Sequence, residues 1–436
     1  MKDRLTTLAA GLAVAASGFI VVGQALGSGF QVRENSAAAL GNAFAGAAAS
    51  PQDPSIVANN PAGMTGLSGN QVSGDLSIVI PSAIFSGAGF SRARQPISGG
   101  NGGDAGGAQP VPAVYGAYDV SPDLKFGLAV AVPFGLKSQY NSNWVGRYQA
   151  IKSDLEIINI NPNIAYRISE WLSVGGGPAI QQASAELTNA INSTTVAHVA
   201  NPLLPAGLTL PDGSVRVTGD SFSVGYNLGV LAQVFPETRF GVSYRSQISH
   251  QLEGSATLTV PPGLAADPRF QNTPARTDLK TPDVVSLAGS HQIAPDLVLL
   301  AEVQWTNWSV VKNLRVQRPD GSALTDQPEQ WHGTWFASIG ATYSPDPDWT
   351  IRGGFAYDPT PVRNQFRTAR LPDADRYWLA AGLGYKWTDD LRFDAAYAHI
   401  FGARAPISEL SQAGDLLVGR YSDHIDIVSL SATLRF

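Results

Sequence analysis

Apolar and polar residues alternate along short segments over most of the chain. Every second residue from Tyr377 to Trp387 is apolar, and the residues at 380, 382, 384 and 386 on the other face are small or polar. The segments 297–306 and 240–245 repeat this alternation. A period of two is typical of β-strands with one apolar face. Aromatic residues stand at both ends of the apolar face of 377–387, as they do at the two interfaces of a membrane-spanning strand.

The connections between these strands alternate in length. Short turns containing proline or an acidic residue are expected at 121–123, 169–170, 236–238, 294–296, 345–348 and 388–390. Longer connections are expected near 85–110, 137–150, 187–218, 252–281, 311–333, 359–376 and 404–423. A soluble β-sandwich also has alternating strands but has no reason for this pattern of connections. The sequence therefore predicts an all-β protein, a transmembrane antiparallel β-barrel of about fourteen strands over residues 70–436, with the long loops outside the cell.

The final segment ends in an aromatic residue on an apolar face. Val428, Leu430 and Phe436 share this face, and polar residues occupy the other. A terminal aromatic residue on such a strand resembles the assembly signal of outer-membrane barrels. The barrel-assembly machinery is therefore an expected partner through Phe436, together with outer-membrane lipid or lipopolysaccharide.

The N-terminus has the pattern of a secretory signal peptide. Lys2 and Arg4 precede an apolar run over 5–22, and small residues follow at 25–27. We expect residues 1–27 to be removed, with cleavage after Gly27 or, alternatively, nearer Ala25. A membrane-anchoring helix is the competing interpretation, but the run is interrupted by glycine and no cationic stop follows it.

Residues 28–69, which we call the hatch, differ from the rest of the chain. The part from Ser36 to Ser50 is dominated by alanine and lacks a wide apolar face. Such a segment cannot fold alone. It could form an external tail or a plug inside the barrel, and its low charge favours the plug.

Composition narrows the possible functions. Only 15% of the residues are charged, against about 25% in typical soluble proteins. The formal net charge of −6 provides no general basic surface, so nucleic acid is not an expected partner. Cysteine is absent, and the six histidines form no recognisable catalytic or metal-binding motif. We therefore expect no enzyme activity, no metal and no cofactor.

Several motifs, in order along the mature chain, resemble the FadL-type family of outer-membrane transporters for hydrophobic compounds. These motifs are Ser28-Gly29-Phe30-Gln31, the run from Ala39 to Gly46, Asn60-Pro61-Ala62, Val132-Pro133-Phe134-Gly135-Leu136 and the run from Trp144 to Tyr148. The resemblance implies a monomeric, multi-pass protein of a Gram-negative outer membrane. It also implies a fourteen-stranded barrel closed by an N-terminal hatch, with ligand passing from an outer groove to an inner pocket and leaving through the wall.

The resemblance also suggests roles for individual residues. Asn60, Pro61 and Ala62 would belong to the hatch, although Asn-Pro also begins ordinary turns. Phe30 would occupy or gate the inner pocket, although it could also be simply a buried anchor. Pro133, Phe134 and Gly135 would form a lateral gate, because proline removes a ladder donor and glycine permits a bulge, although simple strand termination has the same signature.

Charged and apolar loop residues supply further candidates for ligand binding. Arg147, Lys152 and Arg245 could pair with a fatty acid carboxylate, or with acidic residues of the lumen. Apolar residues of two long loops could line an outer groove, since exposed apolar patches often mark ligand sites. These residues are Leu203, Leu204, Leu208, Leu210 and Leu264.

The expected function is uptake of hydrophobic small molecules, either long-chain fatty acids or aromatic hydrocarbons. The sequence does not choose between these two ligand classes. A general diffusion porin is the first alternative, but an open pore has no use for a hatch or for apolar loops. An outer-membrane lipase or protease is a further alternative that would need a catalytic constellation.

Overall fold

The computed structural model describes residues 29–205 and 207–436, so the predicted signal peptide lies outside the described residues. Most of the described chain is β-strand. The strands are β1 (Gln71–Phe90), β2 (Gln109–Asp119), β3 (Leu124–Gln139), β4 (Lys152–Ser169), β5 (Leu172–Ile191), β6 (Gly213–Phe235), β7 (Thr238–Arg245), β8 (Ile248–Thr259), β9 (Thr273–Thr281), β10 (Val284–Ala294), β11 (Leu297–Thr306), β12 (Asn313–Gln317), β13 (Ala323–Pro328), β14 (Thr334–Tyr343), β15 (Trp349–Asp358), β16 (Arg376–Lys386), β17 (Leu391–Gly402), β18 (Ala405–Leu410) and β19 (Leu416–Arg435).

The helices are short and lie in the hatch and the long loops. The α-helices are α1 (Ala37–Gly41), α2 (Ile56–Asn59), α3 (Ser193–Ala200) and α4 (Pro262–Ala265). Turns of 3-10 helix cover Pro61–Gly66, Pro268–Phe270, Trp308–Val310 and Asn364–Phe366. Across residues 29–205 and 207–436, no helix has the length and apolar character needed to cross a membrane.

The strands form one closed antiparallel barrel. β1 pairs with β2 on one side and with β19 on the other, where the register runs from Gln71–Arg435 to Phe90–Leu416. Five barrel strands are interrupted and consist of two segments each: β7 with β8, β9 with β10, β11 with β12, β13 with β14 and β17 with β18. The result is a barrel of fourteen strands, which confirms the predicted fold class.

Side chains alternate between the lumen and the outer surface, as the sequence pattern predicts. On β16, Tyr377, Leu379 and Leu383 are exposed on the outside, whereas Trp378 is fully buried and faces the lumen. Trp378 packs there against Phe44 of the hatch. Exposed apolar side chains are stable on this surface only if lipid covers it.

The long connections contain more strand than the sequence predicts. β5 and β6 remain paired as far as Ile191–Gly213, so much of the stretch 187–218 is a hairpin rather than a loop. The predicted loop boundaries at 187–218 were wrong for a physical reason. A strand that extends beyond the bilayer has no lipid-facing side, and its sequence therefore loses the apolar period on which the prediction rests.

The hatch lies inside the barrel. Helix α1 contacts β15, β16, β17, β19 and β1, while the turn Pro61–Gly66 contacts β3, β4, β5 and β6. Glycines on the inner wall permit this close approach. A Cβ atom on Gly354 would lie 2.2 Å from the backbone of Asn42, and one on Gly229 would lie 2.0 Å from Oδ1 of Asn60. The hatch therefore lies in close contact with the wall at these glycines.

Candidate functional site

Phe30 lies at the centre of an aromatic cluster. Its ring is 4.8 Å from that of Trp308, 5.7 Å from that of Phe134 and 5.7 Å from that of Trp331, measured between centroids. Only 4% of Phe30 is exposed. Phe30 comes from the hatch, Phe134 from β3, and the two tryptophans from the connections near β12 and β14. The cluster therefore joins a proposed ligand residue directly to a proposed gate residue.

An apolar cavity of about 130 Å³ lies on the outer side of this cluster. Phe30 and Trp331 form part of its wall. The remaining apolar lining comes from Leu136, Leu155, Ala185, Leu187, Leu252, Leu279, Val311, Leu314 and Leu371. We call this space the inner cavity. Its lining fits an alkyl chain better than a polar solute, because burying apolar surface contributes about 25 cal/mol per Å².

A second, larger cavity of about 340 Å³ opens among the long loops. We call it the outer cavity. Its apolar wall is formed by Val196, Val199, Val215, Val217, Leu258, Phe270, Val316 and Leu324. The leucines expected to line an outer groove belong to the same two loops but occupy other positions. Leu203 is 92% exposed, Leu204, Leu208 and Leu210 are half-buried, and Leu264 is buried.

Arg370 and Leu187 line both cavities. The guanidinium of Arg370 donates a hydrogen bond to Oδ1 of Asn189 at 3.0 Å and approaches Oγ of Ser153 at 3.3 Å. Within the described residues, no carboxylate lies close enough to form an ion pair with it. Burial lowers the pKa of Arg370, and the more distant carboxyls of Glu409 and Glu329 act in the opposite direction. A cation thus stands between two apolar spaces without a close counter-ion.

Glu329 lies in the wall of the inner cavity beside this arginine. One carboxyl oxygen accepts a hydrogen bond from Nε1 of Trp331 at 2.9 Å. Burial raises the pKa of Glu329 to about 8, although the bond from Trp331 acts against this shift. The carboxyl is therefore largely neutral at pH 7 and leaves the charge of Arg370 available.

Two of the three cations proposed from the sequence have acidic partners. Nε of Arg147 lies 2.7 Å from a carboxylate oxygen of Asp212. Nζ of Lys152 lies 3.3 Å from Asp154 and 3.1 Å from Glu186. These contacts match the alternative in which lumen cations pair with acidic residues. Arg147 and Lys152 are therefore less available to a ligand carboxylate than Arg370 is.

Arg245 occupies a different part of the lumen. It donates a hydrogen bond to the carbonyl oxygen of Ala58 in the hatch at 3.3 Å. With Gln31, Arg33 and Glu302 it lines a small polar cavity of about 60 Å³ between the hatch and the wall. This space lies away from the apolar cavities, and its polar lining disfavours a hydrophobic ligand.

The hatch motif is held to the wall by a buried asparagine. Nδ2 of Asn60 donates to the carbonyl oxygens of Ala48 at 2.7 Å and Val230 at 3.0 Å. Its Oδ1 accepts from the backbone N–H of Ala62 at 3.1 Å and so begins the 3-10 turn, with Pro61 at the first position. Asn60 therefore connects two parts of the hatch to β6.

β3 is irregular at the proposed gate. Its pairing with β4 shifts register between Ala131 and Phe134, which is a β-bulge at Val132 and Pro133. Its pairing with β2 ends at Val130, although β2 itself continues toward Gln109 along β1. The wall thus has a gap in strand pairing between β2 and β3.

The hatch meets β3 at this gap. The backbone N–H of Gly135 donates to the carbonyl oxygen of Phe30 at 2.9 Å, and that of Val32 donates to the carbonyl oxygen of Pro133 at 2.9 Å. These two bonds replace part of the missing ladder. The backbone at Phe30 is therefore coupled to the irregular part of the wall.

Sequence reasoning missed several residues of this site. Trp308, Trp331, Glu329 and Arg370 all lie in long connections whose inward folding has no sequence period. The one available signal was the tryptophan content of the stretch 305–335, since aromatic residues in loops often mark binding sites.

Comparison with known proteins agrees with this architecture. The sequence profile of the family described as outer membrane protein transport protein (OMPP1/FadL/TodX) matches residues 18–436. A long-chain fatty acid transport protein of Salmonella typhi is 28% identical, with 94% of this chain and 95% of that protein covered. A putative outer membrane protein of Neisseria meningitidis serogroup B is 31% identical, with 89% and 91% covered.

Solved structures give the same result. The crystal structure of a Pseudomonas aeruginosa FadL homologue superposes with a TM-score of 0.88 at 28% identity, covering 94% of this chain and 100% of that one. The Pseudomonas putida toluene transporter TodX superposes with a TM-score of 0.68 at 19% identity, covering 93% and 99%, and shares the fold. The chain is thus a multi-pass protein of the outer membrane, and it belongs to the OMPP1/FadL/TodX family of outer membrane transport proteins.

Proposed function

We propose that this channel takes up long-chain fatty acids or carboxylates of similar shape, rather than small aromatic hydrocarbons. The observation that carries the proposal is the position of Arg370 between two apolar cavities. An aromatic hydrocarbon has no use for a guanidinium, whereas a desolvated carboxylate needs a charged partner. The two cavities together provide room for a long chain on either side of the charge.

The proposed path begins in the outer cavity and continues past Arg370 to the inner cavity. The carboxylate pairs with Arg370 while the alkyl chain lies against Leu155, Leu252 and Phe30. Neutral Glu329 does not compete for the arginine at pH 7. Displacement of Phe30 by the chain end disturbs its backbone hydrogen bond to Gly135 of β3, because the same residue both lines the inner cavity and accepts that bond.

The proposed exit is lateral, through the gap between β2 and β3 at Pro133, Phe134 and Gly135. A hydrophobic ligand gains about 0.8 kcal/mol for each CH₂ group that stays out of water, so direct passage into the bilayer is favoured over release into the periplasm. The polar cavity beside Arg33 and Arg245 supports this choice, since it makes the route along the lumen unfavourable.

Uptake by whole cells tests the proposal. Cells lacking their own hydrophobe channels, with and without this protein, receive radiolabelled oleate or toluene at matched expression. We expect the protein to raise oleate uptake several-fold and to have little effect on toluene. Increased toluene uptake without increased oleate uptake would assign the channel to aromatic hydrocarbons.

Other parts of the sequence prediction belong to the same proposal. No catalytic role is proposed for any residue, since the matching family and the Salmonella typhi relative are described as transport proteins. Lipopolysaccharide, the barrel-assembly machinery acting through Phe436, and the monomeric state stay predictions. A hatch inside the lumen, rather than an open pore, distinguishes this channel from the general porin considered from the sequence.

A further inference from the structure

A second gap in strand pairing lies on the side of the barrel formed by β9 to β12. β10 pairs with β11 as far as Val284–Thr306. β9 pairs with β12 only at Thr277–Val316 and Arg276–Gln317. Within the part of the chain that the structure describes, no ladder pair joins 278–283 to 307–315.

The chain after β11 turns inward at this gap. Asn307 still bonds to the wall, because its backbone N–H donates to the carbonyl oxygen of Asp283 at 3.0 Å. The next residue, Trp308, is fully buried and packs on Phe30. The segment that would otherwise complete the wall thus contributes to the aromatic cluster, and this part of the β9 edge has no ladder partner on that side.

The inner cavity reaches both edges of this gap. Leu279 of β9 lines the cavity on one side, and Val311 and Leu314 line it on the other. All three are half-buried rather than fully buried. The gap therefore has an apolar inner side that continues into the lining of the inner cavity.

The outer side of the gap lies beyond the lipid-facing band. On β11 the exposed apolar positions Leu299 and Val303 are followed by Trp305 and then by polar residues. A tryptophan at the end of an apolar face marks the membrane interface. Since the long connections face outward from the cell, the gap lies at the level of the head groups of the outer leaflet.

Two lysines stand on the rim of the gap. Lys280 and Lys312 are exposed, and within the described residues neither forms an ion pair. Two acidic residues also border the gap: Asp278 on the same face of β9, and Asp283, whose carboxylate accepts a hydrogen bond from Nδ2 of Asn307 at 3.3 Å. Arg315 is also on the rim but lies 3.7 Å from Asp326. Lys280 and Lys312 are thus the rim cations that stand outside ion pairs among the described residues, next to an apolar passage.

We propose that this gap is a side entrance for anionic single-chain amphiphiles that lie in the outer leaflet. The carboxylate head group is held at Lys280 and Lys312 while the alkyl chain enters the inner cavity between Leu279 and Leu314. This inference rests on the proposed function and adds a second entrance to the route through the outer cavity. We specify a single-chain carboxylate for two reasons. The passage between Leu279 and Leu314 suits one alkyl chain, and the rim offers two separate lysines rather than a broad basic surface.

The test uses the full-length mature protein in phospholipid nanodiscs. The probe is cis-parinaric acid, a polyene carboxylate of 18 carbons, and its methyl ester is the neutral comparison. Energy transfer from the tryptophans beside the inner cavity reports arrival of the probe in a stopped-flow experiment. The variants are Lys280→Gln with Lys312→Gln, and separately Leu314→Trp. Arg420→Gln, an exposed cation on β19 with no ion pair among the described residues, is the matched control.

We expect the double lysine variant to bind the acid roughly fivefold more slowly, since local charge raises the association rate of an opposite charge. The methyl ester should bind at the wild-type rate, and Arg420→Gln should leave both probes unchanged. Leu314→Trp should slow both probes, because it narrows the passage. Wild-type association of the acid in either the lysine variant or the tryptophan variant would overturn the side entrance. Failure of the wild-type protein to bind the acid would instead contradict the proposed function.

Discussion

Replacement of Arg370 by glutamine separates recognition of a carboxylate from recognition of an alkyl chain. The substitution removes the charge that lies between the two cavities and leaves their apolar walls intact. A hydrogen bond to a charged group contributes about 1.5–3 kcal/mol. At about 1.4 kcal/mol for each factor of ten, the affinity for a long-chain acid should fall about 10- to 150-fold.

Equilibrium binding of cis-parinaric acid and its methyl ester in a non-ionic detergent measures this effect. The affinity for the ester should fall by less than about threefold, because the ester makes no charge-assisted hydrogen bond to the guanidinium. Lys152→Gln is the matched control, since Nζ of Lys152 already lies near Asp154 and Glu186. Heat-modifiable mobility on electrophoresis checks that each barrel has folded. Equal losses for acid and ester would refute the assignment, because they would indicate a damaged cavity rather than a lost charge.

Three further predictions concern pH, the hatch and the gate. Burial raises the pKa of Glu329 to about 8, so this group becomes an anion beside the bound carboxylate as the pH rises through that value. Affinity for the acid should then decrease, and Glu329→Gln should reduce the decrease in binding titrations between about pH 6 and about pH 10, while the part that remains belongs to Glu409, whose pKa burial raises to about 7. Gly354→Ala places a Cβ atom against the hatch backbone, whereas the Cβ atom of Gly353→Ala meets open space. Since overpacking costs about 1–3 kcal/mol, planar-bilayer recordings should show ion leakage through the Gly354→Ala barrel and none through the Gly353→Ala barrel. Pro133→Val with Gly135→Ala should restore strand pairing and abolish most oleate uptake at normal binding and expression, and unchanged uptake would show that ligand leaves elsewhere.

The barrel could be predicted because its physical cause repeats along the sequence. A strand between lipid and lumen must alternate, as 377–387 does, and each short turn carries proline or an acidic residue. The irregularity at Pro133 was also predictable, because proline lacks the N–H that a ladder needs. These features depend on neighbouring residues alone.

The binding site could not be predicted in the same way. Arg370 lies in a loop with Arg363 and Arg367, and the sequence does not indicate which of the three faces the cavities. Arg147 was an equally reasonable candidate until its contact with Asp212 was known. Pairing and burial of such residues depend on where distant loops meet inside the barrel. A local sequence pattern does not contain that information.

The seam between β1 and β19 has a consequence for the biogenesis of the protein. Gln71 pairs with Arg435, so the register is complete only when both ends of the barrel sequence are present. Until then, two long strand edges expose unpaired backbone groups, which neither lipid nor a soluble state tolerates without aggregation. The hatch immediately precedes β1, and its backbone is enclosed by wall glycines on opposite sides. Closure of the β1–β19 seam therefore also completes the wall around the hatch, and a nascent chain must be protected at both edges until it seals.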